Sequence, residues 1–530
     1  MNYLLRDSAL IAAAVFIGAC SQSVQTASTA SPGPRTRAER TGYLETSHYD
    51  DVIAFLDSLK GRPELTFGSI GKTNEGRDIP YVIASRPRVS NPDEARRLGR
   101  PIVYVQGNIH AGEVEGKEAL LAVLRDLTSA RARNALDSVV LIAVPIYNAD
   151  GNEKFDHQEK NRGSQNGPEM VGVRTNAQNL DLNRDYMKAE APETRASLAM
   201  FNAWDPDVFV DLHTTDGSYH GYALTYASPL NPAAPFAVWA RDSLMPVLRE
   251  RMQSRHGFPT FAYGDFIDND TLSKGWVTFD SRPRFGTNYY GLRDKVAILS
   301  EAYSHDPFER RVKSTYAFVQ EILSVASEKR DRIMQRPAVR APIPIRSEMV
   351  AAPEQVGVVA EILERTGDST RTQPGVPKGR RRSGRFVTVK MPVFERFKPT
   401  LMSSFPAYYV IPQADTQAVR VLRLHGITVT QSSELTGDRY AFVIDSTVVT
   451  QRLFQGHREM RLTGHWRKES KPVESGSFMV DTSQPLGLLA VYMLEPQSDD
   501  GLVTWNYFDS ELKPGGVYPV SRVGGRPPTP

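Results

Sequence analysis

The chain contains one cysteine, Cys20, among its 530 residues, so no intrachain disulfide bond can brace the folded part. A strong excess of one charge is also missing, because 64 Lys and Arg against 61 Asp and Glu leave a net charge of +3. This balance gives no reason to expect a nucleic-acid partner. A composition that is 40% hydrophobic and 24% charged is that of a globular protein. At this length we expect about two to four domains.

A long apolar run is missing at the N-terminus, where the apolar segment 9–17 is too short for an ordinary transmembrane helix. Its position after Arg6 is typical of a secretory signal peptide. The sequence IGAC at 17–20 resembles the bacterial lipobox, whose cysteine is lipidated and becomes the mature N-terminus. The resemblance implies an exported lipoprotein that is anchored to a membrane through Cys20 and faces the periplasm or the cell exterior. A plain signal peptide with an incidental cysteine is the alternative.

Three apolar runs rich in β-branched residues lead into residues that suit a metal site. The run 102–105 leads into His110 and Glu113, the run 208–212 ends at His213, and the run 296–300 ends at Glu301. In open α/β sheets, ligands and catalytic groups gather outside the carboxyl ends of the strands. Two histidines and one carboxylate, with one position free for water, are a recognised catalytic zinc set. The pattern therefore predicts a metal site, with zinc as the expected ion, at the strand ends that carry His110, His213 and Glu301, with Glu113 beside His110.

The same runs predict the fold. The strand near 102–105, an amphipathic helix after Glu113 and a second strand at 139–146 form a βαβ unit, which implies a right-handed crossover and a parallel strand pair. Further helices are predicted at 235–255 and 308–334. The predicted fold class is α/β, with a mixed, largely parallel twisted sheet flanked by helices.

Seven short motifs, in order along residues 43–336, resemble those of the zinc carboxypeptidase family. They are EGR at 75–77, HAGE at 110–113, NADG at 148–151, DLNRD at 181–185, APETRA at 191–196, DLHT at 211–214 and ILSEAY at 298–303. One such motif would be weak evidence, whereas seven in this order are specific. The resemblance implies a metallocarboxypeptidase that binds one zinc ion per chain through His110, Glu113 and His213.

The resemblance also implies roles around that zinc ion. Glu301 would be the general base that takes a proton from the zinc-activated water and passes it to the leaving amine. Asp181 would hold a zinc-ligating imidazole by its second ring nitrogen. The alternatives are that Asp181 forms a turn, and that Glu301 is a solvated strand end with Asp306 or Glu309 in its place.

Further residues would bind the substrate. Asn183 and Arg184 would grip the carboxylate at a peptide C-terminus, although Arg184 could instead form a structural ion pair. Arg162 would polarise the scissile carbonyl, and Arg174 in the same loop is its alternative, because the spacing to Asn183 does not decide between them.

The sequence departs from the family at 279–293, which reads FDSRPRFGTNYYGLR. Digestive members carry a mobile tyrosine and a residue that sets side-chain preference in this region. Tyr289 or Tyr290 could serve as that tyrosine, so both are predicted to bind substrate. The register is not fixed, and the substrate preference therefore stays open.

The expected organisation has five segments. They are a lipoprotein-type signal peptide at 1–20, a flexible tether at 21–40, a zinc carboxypeptidase-like catalytic domain at 41–335, a linker at 336–356 and a β-rich accessory domain at 357–530. In the last segment, strands are predicted from apolar runs at 386–393, 408–411, 419–424, 440–444 and 476–480, and a helix at 486–494. The basic run 378–385 is interpreted as a solvated loop, because it lacks the interleaved aromatic residues of a nucleic-acid surface.

The sequence thus predicts an exported zinc metallocarboxypeptidase that hydrolyses C-terminal peptide bonds by zinc-activated water with a glutamate general base. Its expected partners are a peptide substrate and a membrane reached through the lipid anchor, without nucleic acid. Two alternatives remain: a zinc amidase acting on peptidoglycan or another non-standard amide, and a catalytically silent binding lipoprotein.

Overall fold

The structure is a computed structural model, and it describes residues 33–525 except 130–131, 338–340, 368–375, 377, 432–436 and 471–472. The predicted signal peptide with Cys20, and residues 21–32 of the predicted tether, lie outside the described residues. Among the helices of the described part, none combines the length and the apolar character that a membrane span requires.

Eight strands form a central sheet. They are β1 (Leu65–Lys72), β2 (Asp78–Ala84), β3 (Ile102–Gly107), β4 (Val140–Val144), β5 (Val208–Thr214), β6 (Leu224–Ala227), β7 (Thr260–Ala262) and β8 (Val296–Ala302). Their order across the sheet is β1-β2-β4-β3-β5-β8-β6-β7. The four central strands β4, β3, β5 and β8 run parallel. Strands β1 and β2 are antiparallel to their neighbours, and β6 is antiparallel to β8 but parallel to β7. The predicted mixed, largely parallel sheet is therefore confirmed.

Helices pack on both faces of this sheet. In chain order they are α1 (Arg37–Arg40), α2 (Tyr49–Ser58), α3 (Pro92–Arg97), α4 (Glu115–Ser129), α5 (Ala149–Glu153), α6 (Gln158–Asn161), α7 (Pro192–Trp204), α8 (Ala237–Trp239), α9 (Met245–His256), α10 (Gly286–Leu292), α11 (Phe308–Glu328), α12 (Arg330–Ile333), α13 (Thr416–Leu424) and α14 (Gly487–Leu494). Side chains of β3 alternate between the faces: Val103 and Val105 pack with α4, α9 and α11, and Tyr104 packs with α7. Burial on both faces explains why the strand is apolar throughout.

The C-terminal part adds nine longer strands. They are β9 (Ile343–Ala351), β10 (Val356–Arg365), β11 (Arg380–Met391), β12 (Val393–Ser403), β13 (Tyr408–Ile411), β14 (Arg439–Val449), β15 (Met460–Glu469), β16 (Phe478–Asp481) and β17 (Ser521–Val523). Strand β9 pairs with β12, and β10 pairs with β11. Strands β13, β14, β15, β16 and β17 form one antiparallel sheet, which the short strand Thr430–Gln431 extends at one edge. The β-rich character predicted for this part is confirmed.

The C-terminal part shares a core with the expected catalytic domain at 41–335 (the catalytic part), which differs from the separate accessory domain expected at 357–530. One buried cluster contains Tyr104 and Phe201 beneath the central sheet together with Ile411, Leu422 and Leu489 of the C-terminal part. From Gly33 onward the chain forms one compact unit. The apolar faces of α13 and α14 are thus covered by the catalytic part, which local sequence patterns cannot reveal.

Three further expectations need correction. Within the expected linker 336–356, residues Ile343–Ala351 form β9, because Ile343 and Ile345 are buried in the shared core. Within the expected tether 21–40, Arg37–Arg40 form α1, which buries Ala38. The run 419–424, expected as a strand, lies in α13 because the apolar residues at 418, 419, 421 and 422 share one helical face.

Candidate metal centre

The strand ends place the predicted ligands side by side. Strand β3 ends at Gly107, and a turn through Asn108, whose φ is 66°, brings His110 and Glu113 to the carboxyl edge of the sheet. On the neighbouring strands, His213 of β5 lies directly opposite Glu301 of β8 in the parallel register. Four residues from three strands therefore meet at one edge.

The three predicted ligands form a compact donor set. Glu113 Oε1 lies 3.0 Å from His110 Nδ1, and Glu113 Oε2 lies 2.9 Å from His213 Nδ1. One ligand atom from each of the three residues lies within 4.8 Å of the others, and all three side chains are buried. Both histidines thus turn the same ring nitrogen toward the carboxylate.

The second ring nitrogen of each histidine faces an aspartate. His110 Nε2 is 2.9 Å from Asp181 Oδ1, and His213 Nε2 is 2.9 Å from Asp211 Oδ2. Burial alone would raise the pKa of the Asp181 carboxyl, but His110 and the nearby Arg174 hold it well below its usual range. Asp181 thus occupies the position that the resemblance implied.

Asp211 lies at the outer nitrogen of His213 as an ion-pair neighbour, and the sequence prediction had not assigned it a role. Side chains two residues apart on a strand point to the same face, so Asp211 and His213 of β5 lie side by side. The spacing Asp-x-His on a buried strand was the signal that could have identified this second aspartate.

The donor set fits zinc. Two imidazole nitrogens and a carboxylate oxygen are the ligand types of catalytic zinc sites, and an aspartate on the outer nitrogen fixes which nitrogen of each histidine points inward. Burial alone would lower the pKa of His213, yet Asp211 and Glu113 hold it well above its usual value, so the pocket favours a positive charge at this point. His110, Glu113 and His213 are the residues that would hold the ion.

Glu301 lies on the wall of the same pocket and is 8% exposed. Burial raises the pKa of its carboxyl well above the usual range; His213 lowers it, and Glu113 and Asp216 raise it further. The two rival carboxylates form ion pairs elsewhere, Asp306 with Arg310 and Glu309 with Lys313.

Arg184 also lines the pocket, with its guanidinium carbon 4.0 Å above the centre of the Phe285 ring. One of its Nη atoms donates to the Asn183 carbonyl at 2.8 Å. Within the described part of the chain, no carboxylate lies within ion-pair distance of this guanidinium, which leaves the structural ion-pair alternative without a partner. Burial lowers the pKa of Arg184, and Asp181 only partly offsets this effect.

The structure separates the two candidate arginines of the long loop. Arg162 lies beneath the pocket, where it donates to the carbonyls of Thr214 and Thr215 at 2.9 Å and contacts Glu113 Oε1 at 3.1 Å. Arg174 lies on the pocket wall and is held by Asp181 at 2.9 Å. The Arg162 side chain is 8% exposed and supports the ligand Glu113, whereas the Arg174 side chain is 34% exposed and faces the pocket.

Tyr289 and Tyr290 are core residues, which corrects the prediction that they bind substrate. Both are fully buried in α10. The Tyr289 hydroxyl lies 2.6 Å from His425 Nδ1, and the Tyr290 ring stacks on Phe201 at 3.9 Å. The tyrosine on the pocket wall is Tyr263, which the sequence analysis did not select.

Tyr263 follows β7 directly and faces the acidic side of the pocket. Burial raises the pKa of its hydroxyl well above the usual value, and Glu301 and Asp265 raise it further. The wall also contains the apolar or aromatic residues Phe279, Phe285 and Leu299 and the polar residues Asn183, Thr214, Asp216 and Thr287. No local pattern marks Tyr263, because its neighbour in the pocket, Glu301, lies 38 positions further along the chain.

Comparisons with known proteins agree with this geometry. Residues 52–235 match the family model described as zinc carboxypeptidase. Carboxypeptidase 2 of Trichophyton rubrum is 23% identical over 519 residues, covering 93% of this chain and 89% of the relative. Carboxypeptidase D of Mus musculus is 30% identical over 183 residues, which are 31% of this chain and 12% of the relative.

The metallo-carboxypeptidase from Burkholderia cenocepacia superposes with a TM-score of 0.40 at 19% identity, covering 54% of this chain and 70% of that chain. The superposition thus covers about half of this chain.

Proposed function

We propose that this zinc metallopeptidase, whose residues 52–235 form a domain of the zinc carboxypeptidase family, removes single amino acids from the C-terminus of peptides. The observation that carries the proposal is the position of Arg184 on the pocket wall beside the donor set. A guanidinium fork matches a carboxylate in shape and charge. A substrate carboxylate at Arg184 would bring the last peptide bond of the chain to His110, Glu113 and His213.

The residues of the pocket divide the chemistry between them. Zinc held by the two histidines and Glu113 supplies a Lewis acid that lowers the pKa of a water molecule toward ~7. Glu301 accepts a proton from the attacking water and donates it to the leaving amine, as its position beside His213 allows. Arg174 directs its guanidinium at the carbonyl oxygen on which negative charge builds up.

The supporting residues keep this geometry fixed. Asp181 and Asp211 orient the two imidazoles, and Arg162 orients Glu113 from below. Because these supporting side chains are buried and mutually bonded, little reorganisation is needed when substrate binds.

The test compares peptides that differ only at their C-terminus. The wild-type protein should release the last residue from peptides with a free carboxylate and leave the same peptides intact when the C-terminus is amidated. Replacing Arg184→Met should lower kcat/KM on free peptides by about 10- to 100-fold, since a hydrogen bond to a charged group is worth about 1.5–3 kcal/mol. The matched control Arg97→Met, at an exposed position of α3, should leave kcat/KM unchanged.

Each other result has a defined meaning. Equal cleavage of free and amidated peptides would contradict carboxylate recognition by Arg184 and would favour the amidase. Stoichiometric zinc without cleavage of any peptide would also favour an amidase that acts on a non-standard amide. Protein purified in zinc-containing buffer that retains no zinc would contradict the metal centre itself.

We further propose export and lipid anchoring through Cys20, which the layout of residues 1–20 supports. Expression of the full chain in a bacterium should place the protein in the membrane fraction, and Cys20→Ala should release it into the soluble fraction. An unchanged distribution in the variant would contradict the lipid anchor.

A further inference from the structure

The loop 450–459, which connects β14 to β15 in the C-terminal part, reaches the metal centre. The side-chain oxygen of Gln455 accepts a hydrogen bond of 2.8 Å from the backbone N–H of Asp181. Asp181 is the residue whose carboxylate faces His110 Nε2. The C-terminal part thus contacts a residue that directly orients a metal ligand, although 274 positions separate Gln455 from Asp181.

The tip of this loop has a defined and unusual backbone. Phe454 and His457 exchange two backbone hydrogen bonds, of 2.8 and 2.9 Å. Between them, Gln455 has a φ of 50° and Gly456 a φ of 84°. Turns with two successive positive φ values favour Asn and Gly, so Gln at the first position is a conformation that the surrounding structure must maintain. The strained backbone directs the Gln455 side chain toward Asp181.

Two further contacts hold the loop against the catalytic part. His457 Nε2 lies 2.9 Å from Glu190 Oε1. On the other side, the Arg284 guanidinium carbon lies 5.0 Å from the centre of the Phe454 ring. Gln455 is therefore presented from a loop that is fixed at the residues on both sides of it.

Asp181 needs such support because its carboxylate has several tasks at once. Asp181 Oδ1 faces His110 Nε2 and accepts a hydrogen bond of 3.0 Å from the backbone N–H of Asn183. Asp181 Oδ2 accepts a hydrogen bond of 2.9 Å from Arg174. The backbone N–H of Asp181 finds its hydrogen-bond acceptor in the C-terminal part, at Gln455. A shift of the Asp181 backbone would move the partners of a metal ligand and of the substrate-facing Arg174 together.

We infer that Gln455 is a positioning residue for the metal ligand His110, acting through Asp181, so that the C-terminal part completes the metal centre. The inference rests on the proposed zinc site. It assigns the C-terminal part a contribution to the reaction itself, in addition to its share of the hydrophobic core.

The experiment measures the rate at which zinc leaves the full-length protein for an excess of chelator, at a temperature well below thermal unfolding. Gln455→Ala should release zinc about threefold to tenfold faster than wild type, which is less than the ~10–100-fold cost of losing a direct partner of a ligand. Gln455→Glu keeps an oxygen that can accept the Asp181 N–H and should restore the slow rate. In steady-state assays, Gln455→Ala should lower kcat while KM changes by less than about twofold.

Two control variants separate positioning from loop packing. Gln451→Ala changes an exposed residue of the same loop and should release zinc at the wild-type rate. His457→Ala removes one of the two contacts that hold the loop, while the Gln455 side chain itself is kept, so it should release zinc faster than wild type but more slowly than Gln455→Ala.

The inference is overturned if Gln455→Ala releases zinc at the wild-type rate, or if His457→Ala releases it as fast as Gln455→Ala does. Failure of the proposed function looks different, because the wild-type protein itself would then retain no zinc. The two failures can therefore be told apart in one experiment.

Discussion

Replacing Arg284 by Met removes the cation that pairs with Asp500 and with Glu459 where the catalytic part meets the C-terminal part. The guanidinium donates to Asp500 Oδ1 from Nε at 3.0 Å and from an Nη at 2.7 Å, and the Arg284 backbone N–H donates to Oδ2 at 2.6 Å. The two side chains are 2% and 0% exposed. Burial raises the pKa of the Asp500 carboxyl, and Arg284 opposes this effect. In the variant, Asp500 must remain charged without its partner or take up a proton.

Protonation of Asp500 sets an upper limit on the loss of stability that this carboxylate can cause. Protonating a carboxyl with an ordinary pKa of about 3.9 costs about 4 kcal/mol at pH 7, at 1.36 kcal/mol per pH unit. Breaking a buried ion pair by removing one partner typically costs about 3–5 kcal/mol. Since the wild-type protein already bears part of the burial cost, we expect Arg284→Met to lower the free energy of unfolding by about 2–4 kcal/mol at pH 7.

The loss should depend on pH with a defined sign. In the variant, the pKa of Asp500 in the folded protein lies above its unfolded value, so the folded state binds more protons and stability falls as pH rises above the unfolded pKa. The difference from wild type should therefore shrink on acidification, to at most about 1.5 kcal/mol at pH 5.

Urea unfolding at pH 5, 6 and 7, with zinc held constant, measures this difference. In the double variant Arg284→Met with Asp500→Asn, the side chain at 500 cannot ionise, so the part of the pH-dependent loss that Asp500 contributes should disappear, while Glu459 keeps Arg282 as a partner at 3.5 Å. A loss below about 1 kcal/mol at pH 7, or a loss that is the same at pH 5 and pH 7, would refute the reasoning.

Five other variants test the pocket and the residues that pack behind it. Tyr289→Phe should lower the free energy of unfolding by about 1 kcal/mol and leave KM unchanged, whereas Tyr263→Phe should lower kcat/KM; a changed KM in Tyr289→Phe would contradict its place in the core. Arg174→Met should lower kcat by about 10²- to 10³-fold, and Arg162→Met should mainly accelerate zinc loss, as kinetics and metal analysis can show. Glu301→Gln should lower kcat by about 10²- to 10⁴-fold with unchanged zinc content, and loss of zinc from this variant would argue that Glu301 is a ligand.

The metal centre could be predicted from sequence because its residues follow recognisable strands. His110, His213 and Glu301 each come at or just after the end of an apolar run, and parallel strands bring such ends to one edge of a sheet. The register that sets His213 opposite Glu301 follows from the fold that these same runs predict. Local sequence patterns were thus sufficient to predict where along the chain the metal ligands lie.

The choice between Arg162 and Arg174 could not be made in this way. Both belong to one polar loop, and their distances along the chain from Asn183 do not tell which one the loop turns toward the pocket. In the structure, the carbonyls that follow His213 capture Arg162 beneath the pocket and leave Arg174 on its wall. The deciding contacts come from a different strand.

The tyrosines were misassigned for a related reason. The pair at 289–290 lies in the region where the family resemblance places a tyrosine, but α10 turns both rings into the core. Tyr263 reaches the pocket from the other side of the sheet edge, after β7. Aromatic residues suit a core and a substrate pocket equally well, so residue type alone does not separate the two places.

The sequence by itself determined the class of the sheet, the ligand set of His110, Glu113 and His213, and the chemistry that such ligands support, because strand periodicity and motif order are local properties. Only the tertiary structure decided that the C-terminal part shares the core and that Gln455 reaches Asp181. These contacts join residues hundreds of positions apart, and they depend on how the apolar faces of α13 and α14 pack against the catalytic part. A pattern read along the chain shows that such faces exist, whereas packing in three dimensions selects what covers them.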